Sequence, residues 1–80
     1  MKLKEWRKKS KLSQQALALK LEAYALEHYP ENAKPLRQTT VGYWERGTLP
    51  RKFWLTVVSD FTNRKVTADD FAEADQPVGA

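Results

Sequence analysis

One short stretch constrains the folding of this chain more than any other: Gln38-Thr39-Thr40-Val41-Gly42-Tyr43-Trp44-Glu45-Arg46-Gly47. Val41 and Trp44 stand three apart, the spacing of one helical face, and are expected to point into a core. Gln38, Thr39, Gly42, Tyr43 and Arg46 fall on other faces, and all but Gly42 carry hydrogen-bonding side chains. Gly47 follows the last periodic residue. Glycine there can take the left-handed conformation that closes a helix, and Pro50 prevents the helix from resuming.

A second segment lies upstream, Leu12-Ser13-Gln14-Gln15-Ala16-Leu17-Ala18-Leu19-Lys20-Leu21. Ser13 is placed as an N-cap, its hydroxyl free to accept a first-turn amide. Leu17, Ala18 and Leu21 then make an inward face. The two segments together resemble the helix-turn-helix of the Cro/lambda-repressor (XRE-type) family, roughly L-S-Q-x-x-L-A followed by T-[VI]-x-x-W-E-x-G. Leu12, Ser13, Gln14, Leu17, Ala18, Thr40, Val41, Trp44, Glu45 and Gly47 carry the match, and the likeness spans about residues 3–71. It implies an all-α, compact five-helix domain over residues 1–74. One departure is plain. The family turn between helices 2 and 3 is tight, whereas residues 22–34 here form an insertion between them.

Eighty residues make one small domain, near the lower limit for a self-sufficient core. Leu3, Trp6, Leu12, Leu17, Leu21, Val41, Trp44, Leu55, Val58, Phe61, Val66 and Phe71 are the expected core. Cysteine is absent, so neither disulfides nor thiolate metal sites support the fold, which permits a reducing cytoplasm. No apolar run is long enough to span a bilayer, and no apolar signal core follows the first residues. The expected setting is the cytoplasm of a bacterial or phage-infected bacterial cell.

The net charge of +4 is unevenly placed. Residues 1–65 carry all 14 lysines and arginines against six acids, a balance of +8. Residues 66–80 carry Asp69, Asp70, Glu73 and Asp75 and no base. A basic body fits a polyanionic partner, and an ordinary solvated surface is the plain alternative.

Along the chain, Lys2–Lys9 reads as a first helix with Leu3 and Trp6 inward. Helix 2 is expected to run from Gln14 to about His28, roughly 22 Å, with Leu17, Leu21, Tyr24 and His28 as its inward series. Pro30–Pro35 is a loop, and Leu36 anchors it to the core. Helix 3 starts near Arg37 or Gln38. Helix 4 covers about Arg51–Phe61, with Leu55, Val58 and Phe61 inward and Trp54 and Val57 on a neighbouring, partly exposed face. Thr67 and Asp70 begin a short helix 5 over Ala68–Ala74. Residues 75–80 read as a disordered acidic tail.

A helix with one apolar side and a small polar side suits the major groove, where base edges present donors and acceptors. Gln38 can pair with adenine in bidentate fashion, and Thr39 can bond an edge or meet a thymine methyl. The family's base-reading positions fall on Gln38, Thr39 and Tyr43. Alternatively, Gln38 caps the helix and Tyr43 covers the core edge. Gln14 opens helix 2, where outward amides can hold a phosphate. The resemblance further implies that Gln14 braces Gln38. Arg37, Arg46, Arg51 and Lys52 are candidate contacts to the DNA backbone, carrying affinity and salt dependence rather than sequence choice.

Other residues have plainer readings. Arg7 is balanced between a salt bridge and a phosphate contact. Trp44 is expected as a core residue and Glu45 as a tie between the helix end and the core. Leu19 with Leu26 can form an exposed seam in the insertion region. Ser10, Ser13 and Ser59 lack an evident base, and a lone histidine makes a poor metal site. No enzyme activity, cofactor, metal or small-molecule substrate is expected.

The reading is therefore a sequence-specific double-stranded DNA-binding transcriptional regulator of phage Cro type. It would act as a repressor at an operator, by default through steric exclusion of RNA polymerase. A homodimer on a near-palindromic site is expected, through helix 4 or 5 (Trp54, Val57, Phe71) or through the insertion. The other reading is an antitoxin-like or adaptor protein whose main partner is another protein, marked by an open patch of Leu19, Leu26 and Tyr29.

Overall fold

Ser13 starts the longest helix as its chemistry dictates: its Oγ accepts the Ala16 amide at 3.0 Å. A computed structural model of the chain describes residues 1–74, and among them it contains five helices and no strand. These are α1 (Leu3–Lys9), α2 (Gln14–His28), α3 (Gln38–Glu45), α4 (Lys52–Phe61) and α5 (Ala68–Ala74). The chain is all-α. The tail at 75–80 lies outside the described residues.

Three of the helices close in one way. After α3, Gly47 sits at φ 114°; its N–H donates to Trp44 O and the Thr48 N–H reaches back to Tyr43 O. After α1, Lys11 takes φ 59°, with Lys11 N–H on Lys8 O and Leu12 N–H on Arg7 O. After α4, Asn63 takes φ 58°, with the corresponding bonds to Asp60 O and Ser59 O. This is the Schellman closure, which satisfies carbonyls that a helix end would otherwise leave unpaired.

The core is built where α2, α3 and α4 meet. Leu17, Leu21, Val41, Val57, Val58 and Val66 are fully enclosed, and Leu36 pins the end of the loop before α3. Each large aliphatic side chain so buried contributes about 1.5–3 kcal/mol. Trp44 meets Trp54 with ring centroids 6.0 Å apart. Trp44 is thus a core residue. Thr62 is the buried polar side chain of this core, and its hydroxyl is fully used: it donates to Val58 O at 2.8 Å and accepts from Val66 N at 3.1 Å.

Two expected faces are corrected. On α4 the buried residues are Trp54, Val57 and Val58, while Leu55 and Phe61 are half-buried. The series 55-58-61 advances by threes and drifts around the helix, whereas 54-57-58 follows the true 3.6-residue period. On α2 the seam runs through Leu17, Ala18, Leu21 and Ala25, and His28 is exposed. His28 is the last residue of α2 and lies past this buried stretch. Tyr24 remains half-buried, edge-on to Phe61 and stacked against His28.

The insertion takes two forms. Its first part, Glu22–His28, simply lengthens α2. Its remainder and the residues up to Arg37 are non-helical and are fastened at both ends. Tyr29 donates its hydroxyl to Asp60 of α4 and packs edge-on against Phe53. The Leu36 amide donates to Glu22 Oε1 at 2.9 Å.

Candidate nucleic-acid interface

α3 is set in place from its C-terminal end. Arg7 donates from Nε to Glu45 Oε2 at 2.6 Å and from Nη2 to Oε1 at 3.1 Å, a forked ion pair. Its Nη1 also holds Leu12 O at 3.0 Å. Gln14 Nε2 adds a third bond to the carboxylate, at 3.0 Å to Oε1. The Glu45 side chain is only 3% exposed and that of Arg7 12%. One carboxylate thus ties the last turn of α3 to α1 and to the first residue of α2. Arg7 is committed to this bridge. A salt bridge for Arg7 and a core tie for Glu45 are each legible in the sequence; their meeting is not.

The other side of α3 faces outward. Gln38 and Thr39 are exposed, and neither side chain is committed to a hydrogen bond among the described residues. Arg37, not Gln38, holds the N-cap position, and no side chain caps the helix. Tyr43 is 55% exposed, so it does not seal the core edge. The Arg46 guanidinium lies 5.3 Å from the centre of the Tyr43 ring, a cation–π contact on the surface. Gly42 sits between these residues and is covered. A Cβ there would lie 3.6 Å from Gln14 Nε2 and 3.8 Å from Arg46 Nη2. Gln38, Thr39, Tyr43 and Arg46 therefore share one exposed side of α3.

Gln14 is half-buried beside that surface, but it does not brace Gln38. Its amide goes to Glu45, and its side chain lies over Gly42. The physical reason is local: the nearly buried carboxylate can accept more bonds than the Arg7 fork supplies, and Gln14 donates one of them.

The remaining basic candidates divide. Arg37, Arg51 and Lys52 are all exposed. Arg51 borders a cleft of about 650 Å³ together with Lys34, Thr40, Thr48 and Leu49, beside α3. Lys52 instead borders a shallower depression with Thr56, Asp60 and Arg64, along the outer side of α4. Adjacent in sequence, the two cations face different surfaces, because Arg51 is the extended N-cap of α4 and Lys52 its first helical residue.

The clamps at Glu22–Leu36 and Tyr29–Asp60 have no signature in the sequence. A carboxylate fourteen residues from the amide it accepts leaves no periodic signal. The Tyr29 phenol is shifted above its ordinary value, chiefly by its hydrogen bond to Asp60, with burial and the Asp60 charge acting in the same direction. Because Tyr29 packs on α4, it does not extend the Leu19–Leu26 seam as a free surface.

No family model, curated protein or solved structure matches this chain. Among the described residues, no helix is long and apolar enough to cross a membrane.

Proposed function

We propose that the chain is a sequence-specific double-stranded DNA-binding transcriptional regulator, acting as a repressor of Cro type at an operator. One observation carries this reading: α3 spends Val41 and Trp44 on the core and presents Gln38, Thr39 and Tyr43 outward on its opposite side, with Gln38 and Thr39 uncommitted. A helix of this kind fits a major groove, where glutamine can pair with adenine and threonine can meet a thymine methyl. Arg37, Arg46 and Arg51 lie near α3 and supply positive charge for phosphates, with Gln14 beside them. Lys52, on the other side of the α4 start, is the weakest of the proposed backbone contacts. Repression follows from occupancy: a bound dimer on a near-palindromic site excludes RNA polymerase.

Selection of bound sequences from a random duplex library, at two salt concentrations, tests the proposal. Recovery of a palindrome supports it; retention that depends on salt alone overturns it. Replacing both Gln38 and Thr39 by alanine is expected to erase discrimination between the recovered site and scrambled duplex while leaving the fold intact. Removing either side chain from its base should cost about 1–3 kcal/mol at that position of the site. Arg51→Ala should weaken all duplexes alike and lower the salt slope by about one. An unchanged sequence preference in the Gln38, Thr39 variant would sink the assignment of α3.

A second reading, an antitoxin-like or adaptor protein, draws on the exposure of Leu19 and Leu26. A lysate partner bound through those leucines in the absence of DNA would favour it.

A further inference from the structure

Trp54, Val57 and Phe71, the residues that a dimer face on α4 or α5 would have used, are buried in the protein's own core. The long helix α2 differs. Leu19 and Leu26 are 58% and 57% exposed, and Ala23 between them is exposed as well. The two leucines are seven residues apart, two turns or about 10.5 Å along the axis. Together they form a straight apolar stripe at the middle of the outward face of α2.

We propose that a second copy of this chain packs on this stripe, α2 against α2, antiparallel about a two-fold axis passing between Glu22 and Ala23. Charge selects the occupant. Lys20 and Glu27 each follow one leucine by a single residue, so they share one flank of the stripe. A two-fold axis perpendicular to the helices keeps that flank on the same side in both copies and reverses its direction. Leu19 then meets Leu26 of the second copy. Lys20 comes within about two residues, ~3 Å along the axis, of Glu27 of the second copy. Symmetry makes this ion pair twice.

The charged groups beside the stripe suit this role. The Glu27 side chain is 76% exposed, and its neighbour on the same helix, His28 Nε2, stands 4.0 Å away. Lys20 is exposed and is the sole lysine or arginine of α2. The opposite flank carries Gln15 and Glu22, and Glu22 is folded back onto the Leu36 amide. A parallel pairing would set Lys20 against that engaged carboxylate and leave Glu27 facing no lysine or arginine. The stripe is small, so the association is weak and reversible. It needs no nucleic acid to form, and it would supply the dimer that the operator reading invokes.

Sedimentation equilibrium of the full chain without DNA, from micromolar to near-millimolar concentration, tests it. The mass should rise from 9.3 kDa toward twice that value. Leu26→Glu should hold the chain monomeric. Lys20→Glu and Glu27→Lys should each weaken association about tenfold, because each sets like charges together twice. The two combined should restore it, since the pairs re-form with their signs exchanged. All three positions are exposed, so helix content and melting temperature should hold steady. Gln38→Ala should leave association unchanged, which separates failure of this interface from failure of the DNA reading. A wild-type chain that stays monomeric throughout, leaving the stripe to some other protein, overturns the proposal. So does a combined variant that associates no better than the single ones.

Discussion

Gly47 and Gly42 lie five residues apart and obey different rules. At φ 114°, Gly47 holds a backbone conformation that a side chain resists, and two of its turn's hydrogen bonds depend on it. Gly47→Ala is expected to cost about 1–2 kcal/mol, read as a lower urea midpoint with an unchanged slope. Gly42 is helical, and an added Cβ would meet its neighbours at 3.6 Å or more, an ordinary contact. Gly42→Ala should therefore be neutral or stabilising by up to about 1 kcal/mol. If both substitutions destabilise equally, the left-handed closure is not what Gly47 supplies. The role of Gly47 can be read directly from its place before Pro50. That of Gly42 cannot, because a helical glycine in sequence does not reveal what crosses above it.

α3 depends on a carboxylate contributed by its own last turn. Removing Arg7 would leave the Glu45 charge nearly buried with Gln14 as its remaining side-chain donor. Arg7→Ala should destabilise the chain by about 2–4 kcal/mol, more than an exposed ion pair would, and thermal unfolding checks this. A loss below about 1 kcal/mol would mean that water reaches Glu45 freely. At this scale the sequence is informative where elements are periodic and capped. The bounds of α2 follow from Ser13 before it and Pro30 after it, and the start of α5 from Thr67 and Asp70. The faces of α2 and α4 are harder, because leucine and phenylalanine attract attention that belongs to alanine and valine. Ala18 is legible beside Leu17 and Leu21, but burial of Ala25 and Val57 is decided by the approach of neighbouring helices, a tertiary fact with no local mark. In the candidate interface, the outward set Gln38, Thr39 and Tyr43 is legible from spacing. The destination of Gln14 is not, since one glutamine has several donors and acceptors within reach.

Across the whole molecule, the two ends of the described chain are joined. The amino group of Met1 donates to Asp70 Oδ1 at 3.0 Å, and the Thr67 amide donates to Asp70 Oδ2 at 2.8 Å. Burial works against ionisation of Asp70, but these donors and the positive amino group outweigh it and hold the carboxyl below its ordinary value. A lowered folded-state value means that this stabilisation is present above the unfolded-state value, about 3.9, and is lost as pH falls through the folded one. Acid titration of unfolding free energy should show this loss below about pH 4, and Asp70→Asn should remove it. An identical acid slope in the variant would exclude Asp70 as its source. The clamps on either side of Pro30–Pro35 have a separate consequence. Tyr29 is fixed to α4, and Leu36 is fixed to Glu22, so the bearing of α3 is set outside the loop. The arc between them is thus a natural splice point: a flexible peptide tag placed between Glu31 and Asn32 would add closure entropy that grows only with the logarithm of its length. It would leave the polar side of α3 aimed as before.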